Sequence, residues 1–101
     1  MVVENRNLNK TISTNNFYVN RFKEMDGSIT LSTVDMDIVV NAIDEKSAKK
    51  ELATYIKEYA EEYYDDYEIM SKASNRKSHI PYVFKALTLD VDEIEKIILI
   101  R

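Results

Sequence analysis

The fold is decided by residues 17–33, FYVNRFKEMDGSITLST, which predict two strands joined by a turn. The first part of this stretch is rich in aromatic and β-branched side chains, which are enriched in strands. Asp26-Gly27 is a strong hairpin signal, because Gly27 adopts a positive φ without steric cost. The last part alternates polar and apolar side chains, so Ile29 and Leu31 share one buried face. The stretch therefore predicts an antiparallel hairpin.

The next segments of the chain predict a third strand and a long helix. Residues 38–43 are mostly apolar, which is typical of a central strand. Asp44 is a typical helix N-cap, because its carboxylate accepts a bond from an early backbone N–H group. We predict a β-meander over residues 12–43 and a helix over residues 44–71. The apolar stripe of this helix steps by three or four residues and contains Ala48, Leu52, Ile56, Tyr59, Tyr63, Tyr67 and Met70.

Two short helices are predicted to follow, over residues 79–101. Asp90 and Glu93 have the spacing of a capping box, in which each side chain bonds to the other residue's backbone N–H group. Residues 1–11 carry no clear pattern and predict a flexible arm or a leading strand. The predicted fold class is α+β, because strands precede helices. It is a single domain over residues 1–101, with a three-stranded antiparallel meander packed on one long helix, followed by two short C-terminal helices.

The composition restricts the functions that the chain can perform. It has 101 residues with one Gly, one Pro and no Cys. These counts argue against a multidomain enzyme, a glycine-rich phosphate loop and a thiolate metal site. The net charge is −4, so no general basic field for nucleic acid is expected. No stretch has the length of a signal peptide core or a membrane span. We expect a cytoplasmic protein without membrane contact.

Charge and tyrosine content change along the predicted long helix. Residues 25–71 carry a net charge of −8, and residues 72–89 carry +4. Acidic groups near a helix C-terminus cost about 0.3–1 kcal/mol each at low salt. Tyrosine replaces aliphatic side chains in the same region, and tyrosine suits interfaces that are half apolar and half wet. We predict a partner-binding surface that consists of Glu61, Glu62, Tyr63, Tyr64, Asp65, Asp66, Tyr67, Arg76, Lys77 and His79.

Catalytic chemistry has little support in the residues. His79 is the only histidine and has no recognised nucleophile motif beside it. One His without Cys does not make a tight transition-metal site. We therefore predict no catalytic residue, no metal and no cofactor. Two alternatives stay open: a small metal-dependent hydrolase or nuclease that uses the acidic helix cluster, and an uncharacterised ligand-binding α+β domain. DNA binding is possible, although no recognition motif supports it.

Four short stretches follow one another in the first half of the chain: DGSITL at 26–31, VDM at 34–36, VVNA at 39–42 and IDEKSA at 43–48. Together they resemble the HicB-like antitoxin family, whose pattern has a "DG" turn, a "PDL" segment, a third strand and a capped helix opening. The resemblance covers roughly residues 17–60.

This resemblance implies a partial RNase H-like α+β fold without RNase H catalysis. It also implies a non-enzymatic antitoxin of a bacterial toxin–antitoxin system, which masks the basic surface of a small, usually RNA-cleaving toxin. The expected partner is then the cognate toxin. The tyrosine-rich end of the long helix separately favours a second copy of the chain as partner, in a homodimer or a higher homo-oligomer.

Overall fold

The computed structural model describes residues 16–101. The predictions for residues 1–11, and for the start of the meander at residues 12–15, lie outside the described residues. The elements, in chain order, are β1 (Phe17–Lys23), β2 (Ile29–Thr33), β3 (Val39–Ala42), α1 (Glu45–Asp65), α2 (Tyr67–Met70), a 3-10 turn (Lys77–His79), α3 (Ile80–Leu87), α4 (Val91–Lys96) and β4 (Ile98–Ile100).

The predicted hairpin is confirmed, and it closes around Gly27. The Gly27 N–H group donates to the Glu24 carbonyl at 3.0 Å, and Gly27 has a φ of 89°. A left-handed residue at this place is typical of a three-residue hairpin loop. The Asp26 carboxylate accepts bonds from the Ser28 hydroxyl and backbone N–H, and these bonds lower the pKa of Asp26. The turn is thus held by local chemistry that the sequence encodes directly.

The sheet has the order β3-β2-β1-β4, so the meander gains a fourth strand. Strands β1, β2 and β3 pair antiparallel as predicted, whereas β4 pairs parallel to β1. The prediction that residues 79–101 are entirely helical is wrong at its end, because α4 stops at Lys96 and Ile98–Ile100 extend beside Phe17–Val19. β-Branched isoleucine favours a strand. The pairing also satisfies backbone groups that an open edge of β1 would expose.

Helix α1 begins where the sequence predicts and ends earlier. The Asp44 carboxylate accepts a bond from the Ser47 N–H group at 2.7 Å, and that bond lowers the pKa of Asp44. The predicted single helix over 44–71 is interrupted at Asp66, which has φ −110° and ψ 35°. The last turn of α1 is acidic and contains no basic residue, an arrangement that the helix dipole disfavours at a C-terminal end. The four-residue helix α2 follows the break.

The core lies between one face of the sheet and the helices. Helix α1 packs against β2 and β3 on one side and against α3 and α4 on the other. The predicted capping box is confirmed: the Asp90 carboxylate accepts from the Glu93 N–H group at 2.8 Å, and the Glu93 carboxylate accepts from the Asp90 N–H group at 3.0 Å. No helix within residues 16–101 has the length and apolar character needed to cross a membrane. The fully buried side chains include Phe17, Val19, Leu31, Leu52, Ile56, Tyr63, Val83 and Ile94.

Candidate functional site

The predicted partner-binding residues divide into an exposed group and a buried group. Tyr64 is 60% exposed and Tyr67 is 38% exposed, while Tyr63 and His79 are buried and Arg76 is half-buried. The side chains of Tyr63 and His79 thus pack inside the protein, and the partner-binding role of the whole set stays a prediction. The exposed members are Glu61, Glu62, Tyr64, Asp65, Asp66, Tyr67 and Lys77.

The exposed group centres on an open groove at the end of α1. The groove has a volume of about 350 Å³. Its apolar side extends to α3, because the ring centroids of Tyr67 and Phe84 are 5.9 Å apart. Ile69 beside them is 74% exposed. We call this region the acidic–aromatic surface. It consists of Glu61, Glu62 and the residues that line the groove, Tyr64, Asp65, Asp66, Tyr67, Glu68 and Ile69.

The carboxylates of the acidic–aromatic surface are not neutralised from within the described part of the chain. The ion pairs found in residues 16–101 lie elsewhere, between Arg21 and Glu45, Lys49 and Glu45, and His79 and Asp37. The five acids also lie near the C-terminal end of α1, where the helix dipole is negative. Such a concentration of negative potential attracts a basic group on another molecule.

Tyr63 ties the end of α1 to the segment that follows α2. Its ring is fully buried. Its hydroxyl donates to the Arg76 carbonyl at 2.9 Å and lies 3.4 Å from the Met70 carbonyl. The ring meets those of Tyr59 and Tyr67 edge to face, at centroid distances of 5.9 and 6.2 Å. Burial raises the pKa of Tyr63. Tyr63 therefore packs beneath the acidic–aromatic surface, in contact with the Tyr67 ring.

His79 occupies a polar pocket on another side of α1. Its Nδ1 atom lies 2.5 Å from the Tyr59 hydroxyl, and its Nε2 atom lies 3.8 Å from the Asp37 carboxylate. Burial lowers the pKa of His79, and Asp37 partly opposes that effect. Burial thus favours the neutral imidazole over the protonated one.

We expect the protein to lose stability as the pH falls below about 6.5, the ordinary pKa of histidine. The folded-state pKa of His79 lies below that value, so the unfolded chain binds more protons in this range and the free energy of unfolding decreases. Urea unfolding between about pH 8 and pH 5.5, above most carboxyl titrations, measures how the free energy of unfolding changes with pH. His79→Gln should make this slope smaller. An equal slope in both proteins would contradict the assignment.

The described residues do not offer a metal centre. Within residues 16–101, no group of three or more His, Asp or Glu side chains lies close enough to hold a metal ion. The acids of the acidic–aromatic surface follow one another along the end of a single helix, whereas metal-dependent hydrolysis needs ligands that converge. The hydrolase alternative therefore has no ligand set in this part of the protein.

The structure also assigns a role to Lys57, which the sequence analysis missed. Its ammonium group donates to the carbonyls of Ala86, Leu87 and Leu89 at 3.2, 3.3 and 2.6 Å. Lys57 of α1 thereby caps the C-terminal end of α3, whose last carbonyls have no partner within their own helix. In the sequence, Lys57 is only a lysine beside the apolar stripe of the helix. Helical periodicity does not predict which carbonyl groups its ammonium group contacts.

The comparisons with known proteins identify the class. A family model described as PHD_like, antitoxin of RelE/RelB toxin–antitoxin systems, matches residues 2–100. A solved structure from Syntrophomonas wolfei subsp. wolfei, described as an antitoxin part of a proposed toxin/antitoxin system, is 32% identical with a TM-score of 0.78. The match covers 85% of this chain and 62% of that one, so our chain spans less than two thirds of its length. No curated protein matches the chain.

Fold and comparisons together define the class as the antitoxins of toxin–antitoxin systems. The chain belongs to the PHD-like antitoxin family of the RelE/RelB systems. The antitoxin class and the α+β fold predicted from the sequence are confirmed. The HicB-like subfamily is not confirmed, because the family model that matches is a RelE/RelB one.

Proposed function

We propose that this protein neutralises a small cognate toxin by binding it and catalyses no reaction itself. Its family supports this role, and the HicB-like pattern of residues 17–60 suggests the same activity. The observation that carries the proposal is the acidic–aromatic surface, where carboxylates without ion-pair partners in the described residues stand beside exposed Tyr64 and Tyr67. Such a surface is suited to a basic protein.

The chemistry of the surface suggests the kind of toxin. A protein that cleaves RNA needs Lys and Arg side chains to bind phosphates. The HicB-like resemblance implies an RNA-cleaving toxin, which would carry such a basic surface, and we propose that Glu61, Asp65 and their neighbours mask it. Opposite charges speed the association of the two proteins, and tyrosine rings that become buried in the interface supply most of the affinity. Such a toxin acts on cellular RNA, so we place the complex in the cytoplasm.

Co-expression with a candidate toxin, a small basic protein sought among the products of neighbouring genes, tests the function. We expect a stable complex and relief of the growth arrest that the basic protein causes. A mixture that forms no complex and leaves growth arrested would rule out the antitoxin role for this pair.

A matched pair of tyrosine variants tests the surface separately. Tyr64→Ala removes a ring that is 60% exposed at the groove, and Tyr55→Ala removes one that is 43% exposed farther up the same helix. We expect Tyr64→Ala to weaken toxin binding by about 30-fold, the loss typical of an interface hot spot. Tyr55→Ala should change it by less than about threefold. Equal effects, measured by isothermal titration calorimetry, would move the interface away from the groove.

The predicted homodimer is a separate proposal. The same tyrosines suit self-association, which would compete with toxin binding. Sedimentation equilibrium of the chain alone gives its mass, and a monomer at tens of micromolar would remove the dimer from the proposal.

A further inference from the structure

A second polar pocket lies between the β2–β3 loop, α1 and the 3-10 turn. It has a volume of about 340 Å³, which falls within the range of small-molecule sites, about 300–1,000 Å³. The loop contributes Asp37, helix α1 contributes Tyr59, and the segment before α3 contributes Asn75, Arg76 and His79. None of the exposed residues of the acidic–aromatic surface lines it, so the two sites are distinct.

Arg76 brings a half-buried positive charge to this pocket. Its Cζ atom lies 5.5 Å from the centroid of the Tyr59 ring, and its Nη1 atom donates to the Tyr59 hydroxyl at 3.3 Å. Within residues 16–101 the guanidinium forms no ion pair with a carboxylate. A guanidinium carries five N–H donors. Most of its capacity to bind an anion is therefore unused in the described part of the protein.

The hydrogen bonds around Tyr59 place a second donor at the same pocket. The Tyr59 hydroxyl oxygen accepts from Arg76, and its proton is donated to His79 Nδ1 in the Nε2–H tautomer of the imidazole. Neutral imidazole has one donor and one acceptor nitrogen, so in that tautomer the Nε2 atom of His79 carries the proton. The nearest carboxylate, on Asp37, is 3.8 Å away, which is too long for a hydrogen bond. The Nε2–H group is thus available to a ligand.

We propose that this pocket binds a single oxyanionic group, a phosphate or a carboxylate, held by the guanidinium of Arg76 and the Nε2–H group of His79. The planar fork of arginine matches two oxygens of either anion. The amide of Asn75 offers further donors at the rim. Asp37 opposes the ligand, because its carboxylate is the nearest negative charge to Nε2, and its side chain is 86% exposed.

Titration of the full chain with inorganic phosphate, and separately with acetate, tests the proposal by backbone amide NMR. We expect saturable shifts confined to residues 36–38 and 75–79. Loss of a charged hydrogen-bonding group costs enough that Arg76→Gln should weaken binding at least about tenfold. Asp37→Asn should strengthen it severalfold by removing the opposing charge. Asparagine tolerates the left-handed conformation of Asp37, φ 58°, so this variant keeps the loop.

Lys77→Gln is the matched control, because it removes an adjacent positive charge that is exposed and does not line the pocket. Its affinity for phosphate should stay within about twofold of the unaltered chain. The relative affinities for phosphate and acetate identify the preferred anion. The proposal is overturned if neither anion saturates by about 50 mM, if Lys77→Gln weakens binding as much as Arg76→Gln, or if Asp37→Asn weakens it.

Discussion

Tyr63→Ala is expected to lower the free energy of unfolding by about 3–5 kcal/mol, the usual cost of deleting a buried aromatic ring. Tyr63 is fully buried, and its removal leaves a cavity between α1 and the segment after α2. The Arg76 carbonyl also loses its hydroxyl donor. Urea unfolding monitored by circular dichroism measures the change.

Two further variants separate the contributions at this place. Tyr63→Phe keeps the ring and removes only the hydroxyl, so we expect a loss of about 1–2 kcal/mol. Tyr64→Ala removes an exposed neighbour and should change stability by less than about 0.5 kcal/mol. If Tyr64→Ala destabilised the protein as much as Tyr63→Ala, the burial assigned to these two rings would be incorrect.

Lys57→Met is expected to destabilise the protein by about 1.5–3 kcal/mol, the range for hydrogen bonds that involve a charged group. The methionine side chain retains most of the apolar stem but cannot donate to the carbonyls of Ala86, Leu87 and Leu89. Because the carbonyls of Ala86 and Leu87 end α3, we also expect faster amide exchange in the last turn of that helix. Equilibrium unfolding and hydrogen exchange measure the two effects.

Lys50→Met provides the control for charge. Lys50 lies on the same helix, and its side chain is exposed. The two variants change the net charge equally. A difference between their free energies of unfolding therefore measures the contribution of the Lys57 hydrogen bonds at the end of α3. Equal stability of Lys57→Met and Lys50→Met would show that the three carbonyl contacts contribute nothing measurable.

Local signals in the sequence predicted much of the fold correctly. The turn at Asp26-Gly27 and the N-cap Asp44 are confirmed, and the capping box of Asp90 with Glu93 is confirmed as well. Each involves groups within a few residues of one another, where backbone geometry leaves few choices. The predicted apolar stripe of α1 likewise follows from helical periodicity, since Leu52 and Ile56 are buried.

The remaining features depend on contacts between distant segments. A run of isoleucine such as Ile97-Ile98 fits a buried helix or a strand equally well. Residues 98–100 form a strand because one edge of β1 is left for them to pair with. Helical periodicity placed Tyr63 on the apolar stripe. It did not predict that the segment after α2, which contains Arg76, packs over the Tyr63 ring. The role of Lys57 depends in the same way on α3, which begins more than twenty residues later.

The parallel pairing of β1 with β4 has a consequence for the order of folding. Phe17 and Ile98 are partners although they are about eighty positions apart in the chain, which raises the contact order well above that of the neighbouring hairpin. Closing so long a loop is entropically costly, and non-local pairing slows folding. We expect the hairpin and α1 to assemble first, with β4 docking last. During synthesis, the edge of β1 stays available to other strands until Ile98–Ile100 emerge from the ribosome.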